Sequence, residues 1–236
     1  MLVGVCGRYV STTPSDVLAA QFRVEEILGD DVDQPRWNVA PTDPVLAVAE
    51  NRAGVRRLGR MRWGLLPSFV TDPASAARRI NARVETVATA PAFRAAFARR
   101  RCIMPADGFY EWDKGKQPWF ITRADGVPFA MAGVWEVWRV DDGPLIRTCA
   151  VITTTANELV AGVHDRMPAI LDDVHYDAWL DAGHDDTEGL RRLLRPAPED
   201  LLVRFPVTTR VNNVRNDGRE LIEPGSIDRP VPLTLL

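Results

Sequence analysis

The spacing of apolar positions changes along the chain, and each spacing predicts a different element. Val17, Leu18, Phe22, Ile27 and Leu28 partly follow one helical face. Thr13-Pro14-Ser15-Asp16 offers that helix a start, with proline at the first helical position and an acid in the first turn, and Gly29 offers it a stop. Short strand-like runs follow. VLAVAE (45–50) and VRRLGRM (55–61) are joined by Asn-Arg-Ala-Gly; WFITRA (119–124), PFAMAGVWEVW (128–138) and LIRTCAVITT (145–154) come later, with Asp-Asp-Gly-Pro as a turn between the last two. Helical spacing returns over 156–163, 173–182 and 188–194, before a final strand, LLVRFPVTT (201–209). The chain has no internal repeat. Strands in uneven clusters disfavour a parallel βαβ sheet and predict an α+β fold: one domain over 1–236, with a mainly antiparallel, barrel-like β core and peripheral helices.

Composition narrows the setting. At 236 residues, 46% apolar and 26% charged, the chain has an ordinary globular make-up. Three cysteines, Cys6, Cys102 and Cys149, cannot close a disulfide framework and suit a reducing compartment. Met1 to Val5 lacks the basic flank and length of a signal segment, and no apolar run reaches a membrane span. The expectation is a cytoplasmic monomer with no membrane partner. His175 and His184 have no cysteines near them, so no zinc spacing arises, and Gly-rich phosphate loops are missing. Neither metal nor cofactor is expected.

Charge is unevenly placed. Between Asn51 and Arg101 stand twelve arginines and two acids, Asp72 and Glu85, so this stretch carries +10 in a chain of net −3. The chain has two lysines, Lys114 and Lys116, so a general preference for arginine explains arginine over lysine but not the scarcity of acids. Two readings stand side by side: an electrostatic footprint for a phosphate backbone, or a solvated basic face.

Five stretches mix polar, aromatic, Gly and Pro residues in the manner of active-site loops: RWNVAPT (36–42), RWGLLPSF (62–69), INARVET (80–86), CIMPADGFYEW (102–112) and HDRMPAIL (164–171). Singly each has an ordinary explanation: a turn, a solvent-facing strand glutamate at Glu111, a cap at Asn81, a helix C-terminal group at His164. Together, and in this order with CGRY at Cys6 and VNNVRNDG near Asn213, they resemble the SOS-response-associated peptidase (SRAP) family, abasic-site-processing proteins that crosslink to damaged single-stranded DNA. The resemblance implies that Cys6 is the nucleophile, Asn81 positions the reacting group, Glu111 is the acid/base and His164 is a second proton-transfer or lesion-contacting group. It further implies that Arg8, Arg83 and Arg166 hold DNA phosphates. Pro41, Trp63, Pro67 and Phe69 fall on DNA-facing loops by the same resemblance, and the partner is single-stranded DNA containing abasic sites.

The chemistry fits these residue types. An abasic deoxyribose opens to an aldehyde, an α-amine of pKa about 7.7–8.0 attacks it as the neutral base, and the neighbouring thiol of a terminal cysteine closes the imine to a thiazolidine. Ring opening needs a proton donor, and Glu111 between Tyr110 and Trp112 is expected to have a raised pKa. Arg8 is expected to lower that of the Cys6 thiol. As written, however, the Cys6 nitrogen is an amide. Three readings follow: a start at Val5 with loss of the initiator residue, self-cleavage before Cys6, or a blocked cysteine limited to a reversible thiohemiacetal. The first is favoured, because Val5-Cys6-Gly7-Arg8 aligns with the family's Met-Cys-Gly-Arg. Two other function classes remain open: a cysteine hydrolase using Cys6 with His164 and Asn81 as orienter, and a non-catalytic single-strand-binding module.

Overall fold

A computed structural model describes residues 6–139 and 143–225. Residues 1–5, and the first part of the Asp-Asp-Gly-Pro turn, lie outside the described residues. Among the described residues thirteen strands form two sheets. The first five are β1 (Tyr9–Ser11), β2 (Glu26–Ile27), β3 (Arg36–Val39), β4 (Pro44–Glu50) and β5 (Arg56–Trp63). Next come β6 (Asn81–Arg83), β7 (Arg101–Ala106), β8 (Gly108–Trp112) and β9 (Pro118–Arg123). β10 (Phe129–Trp138), β11 (Ile146–Thr155), β12 (Arg166–Pro168) and β13 (Leu202–Pro206) complete the set. The helices are α1 (Ser15–Phe22), α2 (Arg94–Arg99), α3 (Glu158–Ala161), α4 (Tyr176–Leu180) and α5 (Thr187–Arg192).

In the larger sheet β4, β7, β10 and β11 pair in antiparallel order. β5 pairs antiparallel with β4 and parallel with β11, which closes these five strands into a barrel. β6 and β12 extend β11 along its two edges. The smaller sheet runs β13-β9-β8-β1-β3. The expected α+β architecture with a mainly antiparallel, barrel-like core and peripheral helices is what the chain adopts.

Period-two alternation explains the packing. On the barrel strands Leu46, Val48, Ile103, Ala132 and Ile152 join a core with α1, α2, α4 and α5, while Val45, Ala47, Cys102, Met131 and Val151 join a second core with Tyr9, Val39, Phe109 and Ile121 of the smaller sheet. Burying both faces is why β7 reads as a continuous apolar run rather than an alternating one.

Two local expectations are corrected. The first helix does not run to Gly29; it ends at Phe22, with Arg23 left-handed at φ +55°. The chain then turns to the barrel edge, where the Glu25 and Leu28 amides donate to the Arg56 and Leu58 carbonyls and form β2. Edge pairing outcompetes helix continuation. The five motif stretches, moreover, are not loops throughout: they contribute β3, the end of β5, β6, β7, β8 and β12.

The +10 stretch is not a continuous basic stripe. Arg56 pairs with Glu50 and Asp177, Arg57 with Glu26, Arg60 with Asp31 and Arg100 with Glu136. Arg101 is buried, its guanidinium donating to the carbonyls of Trp179, Phe97, Ala98, Asp181 and His184. Acids outside the stretch thus neutralise four of its twelve arginines.

Candidate active site and DNA-binding face

Cys6 precedes β1 and is buried at 3% exposure, with a left-handed backbone at φ +48°. Its backbone nitrogen donates to Glu111 Oε1 at 2.5 Å, and its thiol also hydrogen-bonds Glu111. Strand pairing creates this contact: Tyr9 of β1 lies opposite Phe109 of β8, which brings the residues before β1 alongside the far end of β8. One carboxylate therefore meets both the nitrogen and the sulfur of one cysteine.

Burial pushes the Glu111 carboxyl up to about 7; hydrogen bonds from Cys6 nitrogen and sulfur oppose this, and the negative charge of Asp165 adds to it. The rise matches expectation, but its cause differs. Tyr110 and Trp112 face the opposite side of β8, in a cluster with Val10 and Phe120, and do not wrap the carboxyl. Sequence neighbours on a strand point apart.

The thiol corrects a second expectation. Burial first, then the Glu111 charge, pushes the Cys6 thiol well up rather than down. Arg8 turns away: its Nη1 donates to Asn38 Oδ1 at 2.8 Å and to the Val211 carbonyl at 2.9 Å. Asn38 is fully buried, and its Nδ2 donates to the carbonyls of Val211, Asn213 and Asn216. This residue, inside RWNVAPT, was not singled out from the sequence. It ties the VNNVRNDG segment to Arg8, and its place inside one of the motif stretches was the available signal.

Asn81 opens β6 opposite Val151 of β11 and is half-buried. His164 follows α3, its amide donating to the Val160 carbonyl. Its Nδ1 accepts the Arg166 amide at 3.1 Å, which leaves Nε2 as the N–H donor of the neutral ring. Nδ1 also lies 2.9 Å from Asp165 Oδ1, an ion pair available to the protonated ring. The negative charge of Asp165 acts on Glu111 and helps to raise its pKa.

The DNA-facing candidates separate by exposure. Phe69 is 64% exposed and Arg83 is exposed, whereas Pro41 is half-buried and Pro67 buried. Trp63 has no exposed surface; its Nε1 donates to the Ile80 carbonyl at 2.9 Å and its ring meets Tyr9 edge-on. Trp63 thus holds the segment leading to Asn81 and offers no face for stacking. Gly64 follows it at φ +129°, where a Cβ would come within 2.6 Å of the Ala76 carbonyl. Only glycine allows the chain to bend there into the loop that presents Phe69. Arg166 is 12% exposed at its side chain and pairs with Glu85. Among the described residues no group of three or more His, Cys, Asp or Glu is placed to hold a metal ion, and no helix is long and apolar enough to cross a membrane.

The sequence model of the SOS response associated peptidase (SRAP) family matches residues 5–214. The chain is 38% identical over 223 residues to abasic site processing protein YoqW of Bacillus subtilis (strain 168), covering 93% of this chain and 99% of that protein. It is 34% identical over 229 residues to abasic site processing protein YedK of Escherichia coli (strain K12), with 93% and 100% covered. A crystal structure of a Bacteroides thetaiotaomicron protein superposes with a TM-score of 0.81 over 94% of this chain and 100% of that one, at 23% identity, a likeness of fold.

Proposed function

The chain belongs to the SOS response associated peptidase family, and from that premise we propose that it processes abasic sites in single-stranded DNA by capturing them covalently on Cys6. One observation carries this reading: Glu111 holds both the nitrogen and the sulfur of Cys6, and its carboxyl sits at about 7. A group of that pKa exists as acid and base in comparable amounts near neutrality.

The reactive form begins at Cys6, whose nitrogen is then an α-amine. Glu111 as acid protonates the ring oxygen of the abasic sugar while the anomeric hydroxyl loses its proton, and the aldehyde is exposed. The neutral amine adds to the aldehyde carbon, and the carbinolamine loses water to give an imine. The thiol then adds to the imine carbon and its proton passes to nitrogen. The product is a thiazolidine, one water is released, and no oxidant or reductant is needed. An α-amine has an ordinary pKa of about 7.7–8.0, so a neutral, nucleophilic fraction exists near neutrality. The raised thiol pKa suits this order of events, because the sulfur acts last, as a thiol adding to an electrophile that already exists.

The left-handed backbone of Cys6 supports a role for self-processing in freeing the amine. A non-glycine residue there stores on the order of 1–2 kcal/mol, and hydrolysis of the preceding peptide bond, in which water adds to the carbonyl carbon and the C–N bond breaks to give a carboxylate and the amine, removes the constraint. Glu111, already hydrogen-bonded to the leaving nitrogen, is placed to protonate it. A general cysteine hydrolase is less well supported: the Cys6 sulfur rests on Glu111, not on an imidazole, and its pKa moves away from a thiolate.

Intact-mass analysis tests the proposal. Protein beginning at Cys6 is expected to gain the mass of an abasic oligonucleotide less one water and to gain nothing from undamaged DNA. The same product on protein that retains residues 1–5 would overturn the terminal-amine mechanism.

A further inference from the structure

The arginine-rich stretch contains two acids, and their surroundings differ. Asp72 has a local task, its Oδ1 accepting the Ala74 amide at the start of a short 3-10 helix. Glu85 lies instead among the arginines assigned to phosphates. Its Oε1 and Oε2 accept from Arg166 Nη1 at 2.6 Å and Nη2 at 3.0 Å, a two-pronged pair. The Arg166 hydrogen bond and charge lower the Glu85 pKa, and the Arg83 charge adds to this.

Topology explains why these groups meet. Thr153 of β11 pairs with Arg83 of β6 on one edge and with Pro168 of β12 on the other. Glu85, just past β6, therefore reaches across the end of β11 to Arg166, whose Nη2 also donates to the Thr153 carbonyl at 2.7 Å. The Arg166 side chain is 12% exposed and the Glu85 side chain 49%, so the acid is the solvent-side member of the pair. Both Nη atoms are occupied, and Nε is buried without a partner. A phosphate approaching Arg166 meets the carboxylate first.

We propose that Glu85 is a specificity-determining gate on the Arg166 phosphate site, filling the guanidinium fork until a DNA phosphate displaces it. The proposal rests on the reading above that Arg83 and Arg166 hold DNA phosphates. Carboxylate and phosphate fit the same planar fork. At rest Glu85 keeps a nearly buried cation paired and clasps β6 to β12, which carry Asn81 and lead from His164. An undamaged strand must displace the acid unaided, so the gate lowers background binding. A strand anchored at its lesion presents its phosphate at high effective concentration and displaces the acid more readily.

The test is a double-mutant cycle read by equilibrium binding of undamaged single-stranded oligonucleotides at fixed salt, with Glu85→Gln, Arg166→Met and the double variant. Glu85→Gln keeps shape and one acceptor but removes the charge, and is expected to bind on the order of two- to five-fold tighter, the range of a partly exposed ion pair. The gain should vanish in the Arg166→Met background. Glu85→Asp keeps the charge and should stay at parent affinity, so a gain from Asp equal to that from Gln would overturn the gate. Unchanged or weaker binding by Glu85→Gln, with Arg166→Met clearly weakened, would also overturn it and leave Glu85 as a clasp. If Arg166→Met binds as the parent does, the phosphate reading itself fails, and the gate with it.

Discussion

Replacing Glu111 by glutamine removes a proton-transfer group while keeping its shape and an acceptor for the Cys6 nitrogen. In protein that begins at Cys6, single-turnover crosslinking is expected to slow by on the order of 10²–10⁴ where ring opening is limiting, about 3–5 kcal/mol of barrier. Binding of the undamaged strand should hardly change. The same substitution has a second signature that needs no DNA. Burial holds the carboxyl at about 7 against an ordinary 4.5, so the folded protein keeps a proton that the unfolded chain loses between those values. Stability from this group is therefore full below about 4.5, falls as pH rises through about 7, and is level above. The gap corresponds to about 3 kcal/mol, an order-of-magnitude figure for a group 3% exposed. Urea unfolding across this window should show the decline in the parent and its absence in Glu111→Gln. Superimposable pH–stability curves would refute burial as the source of the raised pKa. Crosslinking at the parent rate would move the acid/base role to His164.

Other expectations follow from the same geometry. Cys6→Ala should lose the stable adduct and leave at most an imine that hydrolyses on denaturation, read by intact mass; an equal yield of stable adduct would exclude the thiazolidine. Phe69→Ala should leave the urea midpoint unchanged, since the ring is 64% exposed, while weakening single-strand binding by about 1–3 kcal/mol of lost stacking. Trp63→Phe should do the reverse, costing about 1–3 kcal/mol of stability by leaving the Ile80 carbonyl without its indole donor, with DNA affinity unchanged in the folded fraction. Arg101→Met should destabilise by several kcal/mol, because the guanidinium satisfies carbonyls of α2 and of the segment around α4, and thermal melting measures it.

The fold class was legible because alternation and turn chemistry are local: β4, β5, β9, β10, β11 and β13 lie where alternating or continuous apolar runs stand in the chain. β1, β3, β6, β8 and β12 were not, because short strands of mixed polarity carry no period long enough to read. Their backbones become strands only when a partner edge supplies hydrogen bonds, as β11 does for both β6 and β12. The end of the first helix failed for the same reason, since Gly29 is a good local stop but the Arg56 and Leu58 carbonyls at the barrel edge captured the chain earlier.

The residue types needed for aldehyde capture, an aminothiol source, a carboxyl and an imidazole, are written in the sequence together with their order. Sequence also placed the excess of arginine, because charge is counted residue by residue. What it could not carry was which charges meet, since a Coulomb interaction depends on separation in space. Tertiary structure alone decided that Glu50, Asp177, Glu26, Asp31 and Glu136 neutralise four of those arginines, that Trp63 lies inside while Phe69 lies outside, and that Glu85 covers Arg166. It also set the chemistry of the pair at the site. The pKa values of Cys6 and Glu111 both rise because pairing of β1 with β8 buries them against each other, and burial belongs to a packed fold rather than to any stretch of the chain.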